Sequence, residues 1–169
     1  MRKFIGIFLL SLSTGLCLHA QSGFDKKIAQ AVKQLSCAEP GPEEPVTLNA
    51  GILIEKDSIA VIVKVRLAPG WHIYQYVPSN LPYIPIDHIL KLPENFQSSG
   101  KWEMSRPLPS ANDPGVLIYE KEAWFVHKAL RLSALPGIVR TGLYYQTCDL
   151  NQCLPPVEKT FELKINSSK

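Results

Sequence analysis

Alternation with a period of two dominates this chain. Between Ser58 and Leu67, the residues Ile59, Val61, Val63, Val65 and Leu67 share one side of an extended backbone, with Lys64 and Arg66 opposite. Between Val157 and Ile165, Val157, Lys159, Phe161, Leu163 and Ile165 alternate against Glu158, Thr160, Glu162 and Lys164. Successive side chains of a strand point to opposite faces, so a segment of this pattern buries its apolar side as β-structure. A helix would scatter the same residues around its axis.

Shorter strand candidates lie between these two runs. They are Trp71 to Tyr76, Asp87 to Leu92, Lys101 to Met104, Val116 to Tyr119, Ala123 to Leu132 and Ile138 to Thr147. In the fifth, Trp124, Val126, Leu130 and Leu132 fall on one face. Ala68-Pro69-Gly70 reads as a turn that returns the chain into Trp71 to Tyr76, and Pro136-Gly137 as another. Pro78, Pro82 and Pro85 break the chain into irregular loop, and Pro93-Glu94-Asn95 separates two of the strands. Ser105 to Gly115, with prolines at 107, 109 and 114, reads as a long exposed loop. Loops of that length inside a compact domain tend to be lids or binding loops. Many short strands, turns rich in Pro and Gly, and no helix between them predict an all-β antiparallel sandwich.

The N-terminal part is different. Arg2 and Lys3 precede an apolar run from Phe4 to Leu18, ending in Leu18-His19-Ala20. The run falls short of the roughly 20 residues that span a bilayer, and it has the layout of a secretory signal over residues 1–20. A lipid anchor on Cys17 is the rival, with Leu16 a poor residue before a lipidated cysteine. Residues 21–45 follow. Phe24, Ile28, Val32 and Leu35 make a helical stripe, a partly disordered leader being the alternative, before the Pro-rich stretch Ala38 to Pro45. Residues 46–169 remain for the sandwich, and 169 residues in all suit one domain with a real core.

Charge excludes some functions. The chain has 18 basic and 15 acidic side chains, and two of the basic ones are Arg2 and Lys3. Without the signal the balance is nearly neutral, so no nucleic-acid footprint and no polybasic membrane patch is expected. An export signal implies an oxidising, periplasmic or secreted setting. Once Cys17 is removed with it, Cys37, Cys148 and Cys153 remain, and the two close in sequence form the natural pair.

That pair stands in Tyr144-Tyr145-Gln146-Thr147-Cys148-Asp149-Leu150-Asn151-Gln152-Cys153-Leu154-Pro155-Pro156, read as the tip of a β-hairpin. A bridge closing about six residues is worth roughly 2 kcal/mol in the chain-entropy model, against nearly 5 for a loop of about a hundred. Such a bond is a weak staple, and at a hairpin tip it can open and re-close without unfolding the sheet. Spacing alone leaves two readings open, a redox pair and an inert structural disulfide.

The residues around the pair resemble a known family. Tyr145-Gln146-Thr147-Cys148, a short loop, then Cys153-Leu154-Pro155-Pro156 and an alternating strand look like the N-terminal periplasmic domain of the thiol:disulfide interchange protein DsbD, the disulfide bond corrector domain. Leu67-Ala68-Pro69-Gly70-Trp71-His72-Ile73-Tyr74 is similar to its strand–Gly–aromatic–x–aliphatic–Tyr segment, and Gly115-Val116-Leu117-Ile118-Tyr119 to the stretch after its cap loop. The resemblance covers Val46 to Ile165. It implies an immunoglobulin-like sandwich that relays electrons to thioredoxin-like periplasmic oxidoreductases. It implies that Cys153 forms the mixed disulfides and that Cys148 resolves them. It also implies a membrane electron donor, here a separate chain, because no membrane or thioredoxin-like segment accompanies the sandwich. Two features depart from the family pattern. The loop of four residues between the cysteines is slightly short, and the cap region around Asp113, Pro114 and Gly115 carries no aromatic shield.

Other residues are candidates for support. His72 and Tyr74 share a strand face that the resemblance places behind the cysteines, where an imidazole would favour a thiolate near neutral pH; the alternative is a surface histidine. Tyr144 and Tyr145 lie on opposite faces, one in the core and the other, expected as Tyr144, beside the cysteines. His72, His127, Cys148 and Cys153 are metal-ligand types without tight ligand spacing, so no metal and no cofactor is expected. The three tryptophans read as packing, and nothing assigns a role to Cys37. The rival to redox exchange is a non-catalytic binding or assembly module with a structural disulfide.

Overall fold

The computed structural model describes residues 23–167. The signal segment and Cys17 lie outside the described residues. One helix, α1 (Gly23–Gln34), precedes eleven strands: β1 (Val46–Glu55), β2 (Ser58–Leu67), β3 (His72–Tyr76), β4 (Asp87–Lys91), β5 (Phe96–Met104), β6 (Leu108–Pro109), β7 (Leu117–Glu120), β8 (Glu122–Arg131), β9 (Gly137–Tyr145), β10 (Thr147–Cys148) and β11 (Val157–Ile165). They form three sheets ordered β1-β2-β8-β5, β10-β3-β7-β6 and β11-β9-β4, and their strand pairs are antiparallel. A parallel bridge from Tyr74 to Pro85 and the direct run from β9 into β10 join the second and third sheets. The result is an immunoglobulin-like β-sandwich with a short N-terminal helix.

The β2 alternation explains the core. Ile59, Val61, Val63 and Val65 are fully buried between the layers, against Phe125 and Ala129 of β8 and Val139, Leu143 and Tyr145 of β9. Each such side chain contributes about 1.5–3 kcal/mol through lost apolar surface. The other side of β2 is buried too. Ala60 and Ile62 meet Ile28 and Val32 of α1, so the helical stripe has its partner in the outer face of the sheet. Lys64, expected opposite the apolar face in solvent, is therefore 7% exposed and pairs with Glu122 at 3.1 Å.

Two sequence readings change. Strand β3 does not return beside β2. After Ala68-Pro69-Gly70, with Gly70 at φ +83°, it crosses to the second sheet and pairs with β7 and β10. In β8 the face toward the layer interface carries Ala123, Phe125, His127 and Ala129, whereas Trp124 and Val126 meet α1 and Leu130 and Leu132 are exposed. Burial of both faces by a helix on one side leaves the apolar pattern unable to say which side is inside.

One glycine sets how closely β9 and β11 approach. A Cβ on Gly142 would lie 2.0 Å from the Lys159 carbonyl oxygen, a backbone atom that cannot swing away. Register there pairs Tyr145 with Val157 and holds through Gly137 and Ile165. That pairing fixes where the connection carrying the cysteines begins and ends.

Candidate functional site

The cysteine connection leaves β9 at Gln146. There the Ile84 amide donates to Gln146 Oε1 at 3.0 Å, and the chain changes sheets. Thr147 and Cys148 then pair with Ile73 and His72 of β3 as an added edge strand, and Thr147 Oγ1 donates to the His72 carbonyl at 2.9 Å. The next four residues form a tight turn. The Asp149 amide donates to the Gln152 carbonyl at 2.9 Å, and Asp149 Oδ1 accepts from the amides of Asn151 and Gln152 at 2.7 and 2.8 Å. An aspartate that caps its own turn in this way makes a rigid tip without glycine. The Leu154 amide closes it by donating a hydrogen bond to the Thr147 carbonyl at 2.9 Å.

Within this frame Cys148 and Cys153 are directly opposed, their Cα atoms 4.0 Å apart, and they are bonded to each other. The expected pairing is present, and among the described residues Cys37 is the free thiol. The expectation of a plain hairpin tip needs correcting, since β10 belongs to a different sheet from β9 and β11. The difference has a consequence for access. Cys148 is 1% exposed, packed with Tyr74, Val116 and Ile118, while Cys153 is exposed. The two sulfurs of one bond thus face opposite environments.

A cleft of about 330 Å³ opens beside the bond, lined among others by His72, Tyr74, Tyr83, Asp113, Glu120 and Leu150. The loop after β6 forms one wall. Ser110 Oγ accepts from the amides of Asn112 and Asp113 at 3.3 and 3.2 Å, and Ser110 and Val116 close the loop base at 2.9 Å. Of the expected cap residues, Asp113 lines the cleft; Pro114 and Gly115 make the turn behind it, Gly115 at φ +84° against Pro78. The cover contains an aromatic ring after all, and it comes from elsewhere. Tyr83, in the proline-rich loop between β3 and β4, stacks on Tyr74 at 4.7 Å and donates to Asp113 Oδ1 at 3.5 Å. Sequence reading missed it because the stretch from Pro78 to Pro85 has no period to interpret; a tyrosine between two prolines was the only signal.

His72 and Tyr74 are brought together as expected. His72 Nε2 lies 3.1 Å from Tyr74 Oη, the rings meeting edge to face. Burial pushes the His72 pKa below its usual 6.5, while the carboxylates of Glu120, Asp113 and Asp149 act the other way. Burial likewise holds Tyr74 firmly as the neutral phenol. Tyr144 does not join them. It sits on β9 between Asp87 and Glu158, partly exposed, and is not among the cleft residues; its neighbour Tyr145 is buried. His127 is also elsewhere, bonded to Ser98 Oγ at 2.7 Å between the layers. Among the described residues no group of three or more His, Cys, Asp or Glu side chains gathers to hold a metal ion. A larger groove of about 740 Å³ between α1 and β8 holds no cysteine, and two of its three lysines, Lys64 and Lys128, are paired with Glu122, Asp25 and Glu103.

Fold and site together define a β-sandwich with a disulfide slung between a buried and an exposed cysteine at the junction of two sheets. The family follows from the sequence as a whole. The model of the N-terminal part of thiol:disulfide interchange protein DsbD matches residues 38–165, and the chain belongs to that family. Among solved structures, the reduced Neisseria meningitidis DsbD N-terminal domain aligns at 20% identity and TM-score 0.45, over 71% of this chain and 86% of that one. The complex between the DsbD and PilB N-terminal domains of the same organism aligns at 18% and 0.45, over 76% and 93%. The N-terminal periplasmic domain of ScsB from Proteus mirabilis aligns at 18% and 0.45, over 78% of this chain and 50% of that one. No curated protein matches the chain in sequence. Family membership and the Cys148–Cys153 bond point to thiol–disulfide exchange as its general chemistry.

Proposed function

We propose that this chain is an exported thiol–disulfide exchange protein that relays electrons to periplasmic oxidoreductases through Cys148 and Cys153. One observation carries the reading: across a single disulfide, Cys153 is exposed and Cys148 is 1% exposed. Exchange requires an accessible attacking sulfur and a second thiol protected from stray oxidants until it is needed. In the reduced chain the Cys153 thiolate attacks a partner disulfide and forms a mixed disulfide. Cys148 then attacks Cys153 Sγ, the Cys148–Cys153 bond forms, and the partner leaves as a dithiol carrying the two electrons. A membrane electron donor re-reduces the pair.

The partner class is a thioredoxin-like oxidoreductase, a reading supported by the thiol:disulfide interchange family to which the chain belongs. Residues 1–20 serve as the export signal, residues 21–45 as a helix and linker, and residues 46–169 as the redox domain. His72, Tyr74 and the Asp113 loop support the pair; Tyr144 is not placed to do so.

Expression of Cys148→Ala in the host tests the reading. A partner captured through Cys153 as a mixed disulfide, released by dithiothreitol and lost in Cys148→Ala/Cys153→Ala, is the expected result. A reduction potential below about −300 mV, the range of inert structural bridges, together with no captured partner, would leave only a binding module.

A further inference from the structure

The reduced form of this site poses a chemical problem. To resolve a mixed disulfide, Cys148 must become a thiolate, yet it is 1% exposed and packed among Tyr74, Val116 and Ile118. An apolar setting of that kind favours the protonated thiol, and with 1% of the residue exposed bulk water has little access to take the proton. Some group in the cleft has to accept it.

The available groups can be weighed one by one. Tyr74 and Tyr83 are phenols, stacked on each other, and Tyr74 is held protonated by burial. Asp149 Oδ1 accepts two backbone amides of the cysteine turn. Asp113 accepts from Tyr83 and from Ser110 Oγ, each at 3.5 Å. Glu120 is exposed and stands on β7, on the far side of β3 from Cys148. His72 differs from all of them. It is the direct cross-strand neighbour of Cys148, so the two side chains stand on one face with Cβ atoms about 5 Å apart. Its backbone is tied to β10 through Thr147, and its ring to Tyr74 Oη.

We propose that His72 is the general base of the resolving step, taking the Cys148 thiol proton as Cys148 attacks Cys153. This rests on the exchange reading above. The proton passes from Cys148 Sγ to the imidazole, and the thiolate forms the bond to Cys153 Sγ. The Cys153–partner bond breaks, and the partner sulfur leaves as a thiolate that takes its proton from the imidazolium or from water. Burial keeps the ring neutral and ready to accept near pH 7. Glu120 opposite it on β7, Asp113 on the cap loop and Asp149 on the cysteine turn then stabilise the imidazolium.

The full chain with Cys17→Ser and Cys37→Ser, which leaves Cys148 and Cys153 as its two thiols, is reduced, desalted and mixed with dithiobis(nitrobenzoate) in a stopped-flow instrument. Reaction at Cys153 releases one coloured thiolate, and closure by Cys148 releases a second. In the parent the second phase rises with pH and levels off once the His72 imidazole is neutral, below the usual imidazole range because burial lowers its pKa. In His72→Gln the first phase is unchanged, while the second slows at least ~10-fold at pH 7 and climbs with pH without a plateau. In Tyr74→Phe, which keeps the base but removes its hydrogen-bond partner, the plateau persists and its midpoint moves. A second phase in His72→Gln with the parent's rate and pH profile overturns the proposal. So does equal slowing of both variants with no change in profile, which marks a packing role. Absence of both phases in the parent itself defeats the exchange reading, separately from the role of His72.

Discussion

The molecule holds two clusters in which histidine meets aromatic rings, and their surroundings differ. At the cysteine end, His72 meets Tyr74 edge to face at 5.0 Å and Tyr83 stacks behind. Between the layers, His88 stacks on Trp102 at 4.9 Å and meets Phe125 edge to face, and Trp102 also meets His127. Burial lowers the pKa of all three histidines. The surroundings separate them. His72 has three carboxylates and the Cys148–Cys153 pair in its cleft, so its protonated form has partners of opposite charge. Of the core pair, His88 has only Asp87 acting in its favour and His127 has no charge partner, and His88 Nε2 and His127 Nδ1 are buried without a hydrogen-bond partner. Each such atom costs about 1–3 kcal/mol. Residue type is alike in both places; the neighbouring charges and an opening to solvent set the cysteine end apart.

The sharpest way to break this contrast is to damage the core cluster and look for an effect on exchange. Phe125→Ala should lower unfolding stability by about 3–5 kcal/mol, read from urea denaturation, with the exchange rate of the folded protein unchanged. Reduction of the disulfide is the converse test. The bond closes a short loop between residues five apart, so reduced protein should be only about 2 kcal/mol less stable than oxidised. A much larger loss would make the bond a structural staple.

Acid addresses both clusters at once. The unfolded chain takes up protons on these histidines near pH 6.5, whereas the folded chain keeps them neutral to lower pH. Their stability contribution is therefore present above pH 6.5 and is lost as pH falls below it, by up to about 1.4 kcal/mol per pH unit for each ring. Thermal melts of wild type between pH 7 and pH 5 should show this slope. His88→Phe, which keeps the ring stack and removes the unpartnered nitrogen, should flatten it without changing the pH profile of exchange.

The smallest effect belongs to the cysteine turn. Leu150 is 81% exposed at the tip, in a position to meet a partner but not a small reagent. Leu150→Asn should slow exchange with a protein disulfide by about fivefold, close to 1 kcal/mol, while reaction with oxidised glutathione stays the same.

Local patterns carried much of this. The alternation of β2 and β11 was legible because a strand's side chains alternate whatever it packs against, and the Tyr-Gln-x-Cys and Cys-x-Pro-Pro residues were legible as a motif. Tyr83 and the inward turn of His127 were not. Tyr83 reaches Tyr74 from an aperiodic loop, and β8 is apolar on both faces because α1 covers the outer one. Tyr144 illustrates the same limit. Its place next to Tyr145 suggested proximity to the cysteines, but the change of sheet at Gln146 carries Cys148 away from it.

Sequence by itself determined the strands, the turns between them and the pairing of two cysteines close in the chain, because these depend on backbone period and on loop length. Only the tertiary structure decided that Cys148 is buried and Cys153 exposed, and that His72, Tyr83 and Asp113 surround them. Those positions come from three loops and two sheets that meet in space. No local rule links residues 72, 83, 113 and 148; the crossing of β10 onto β3 does.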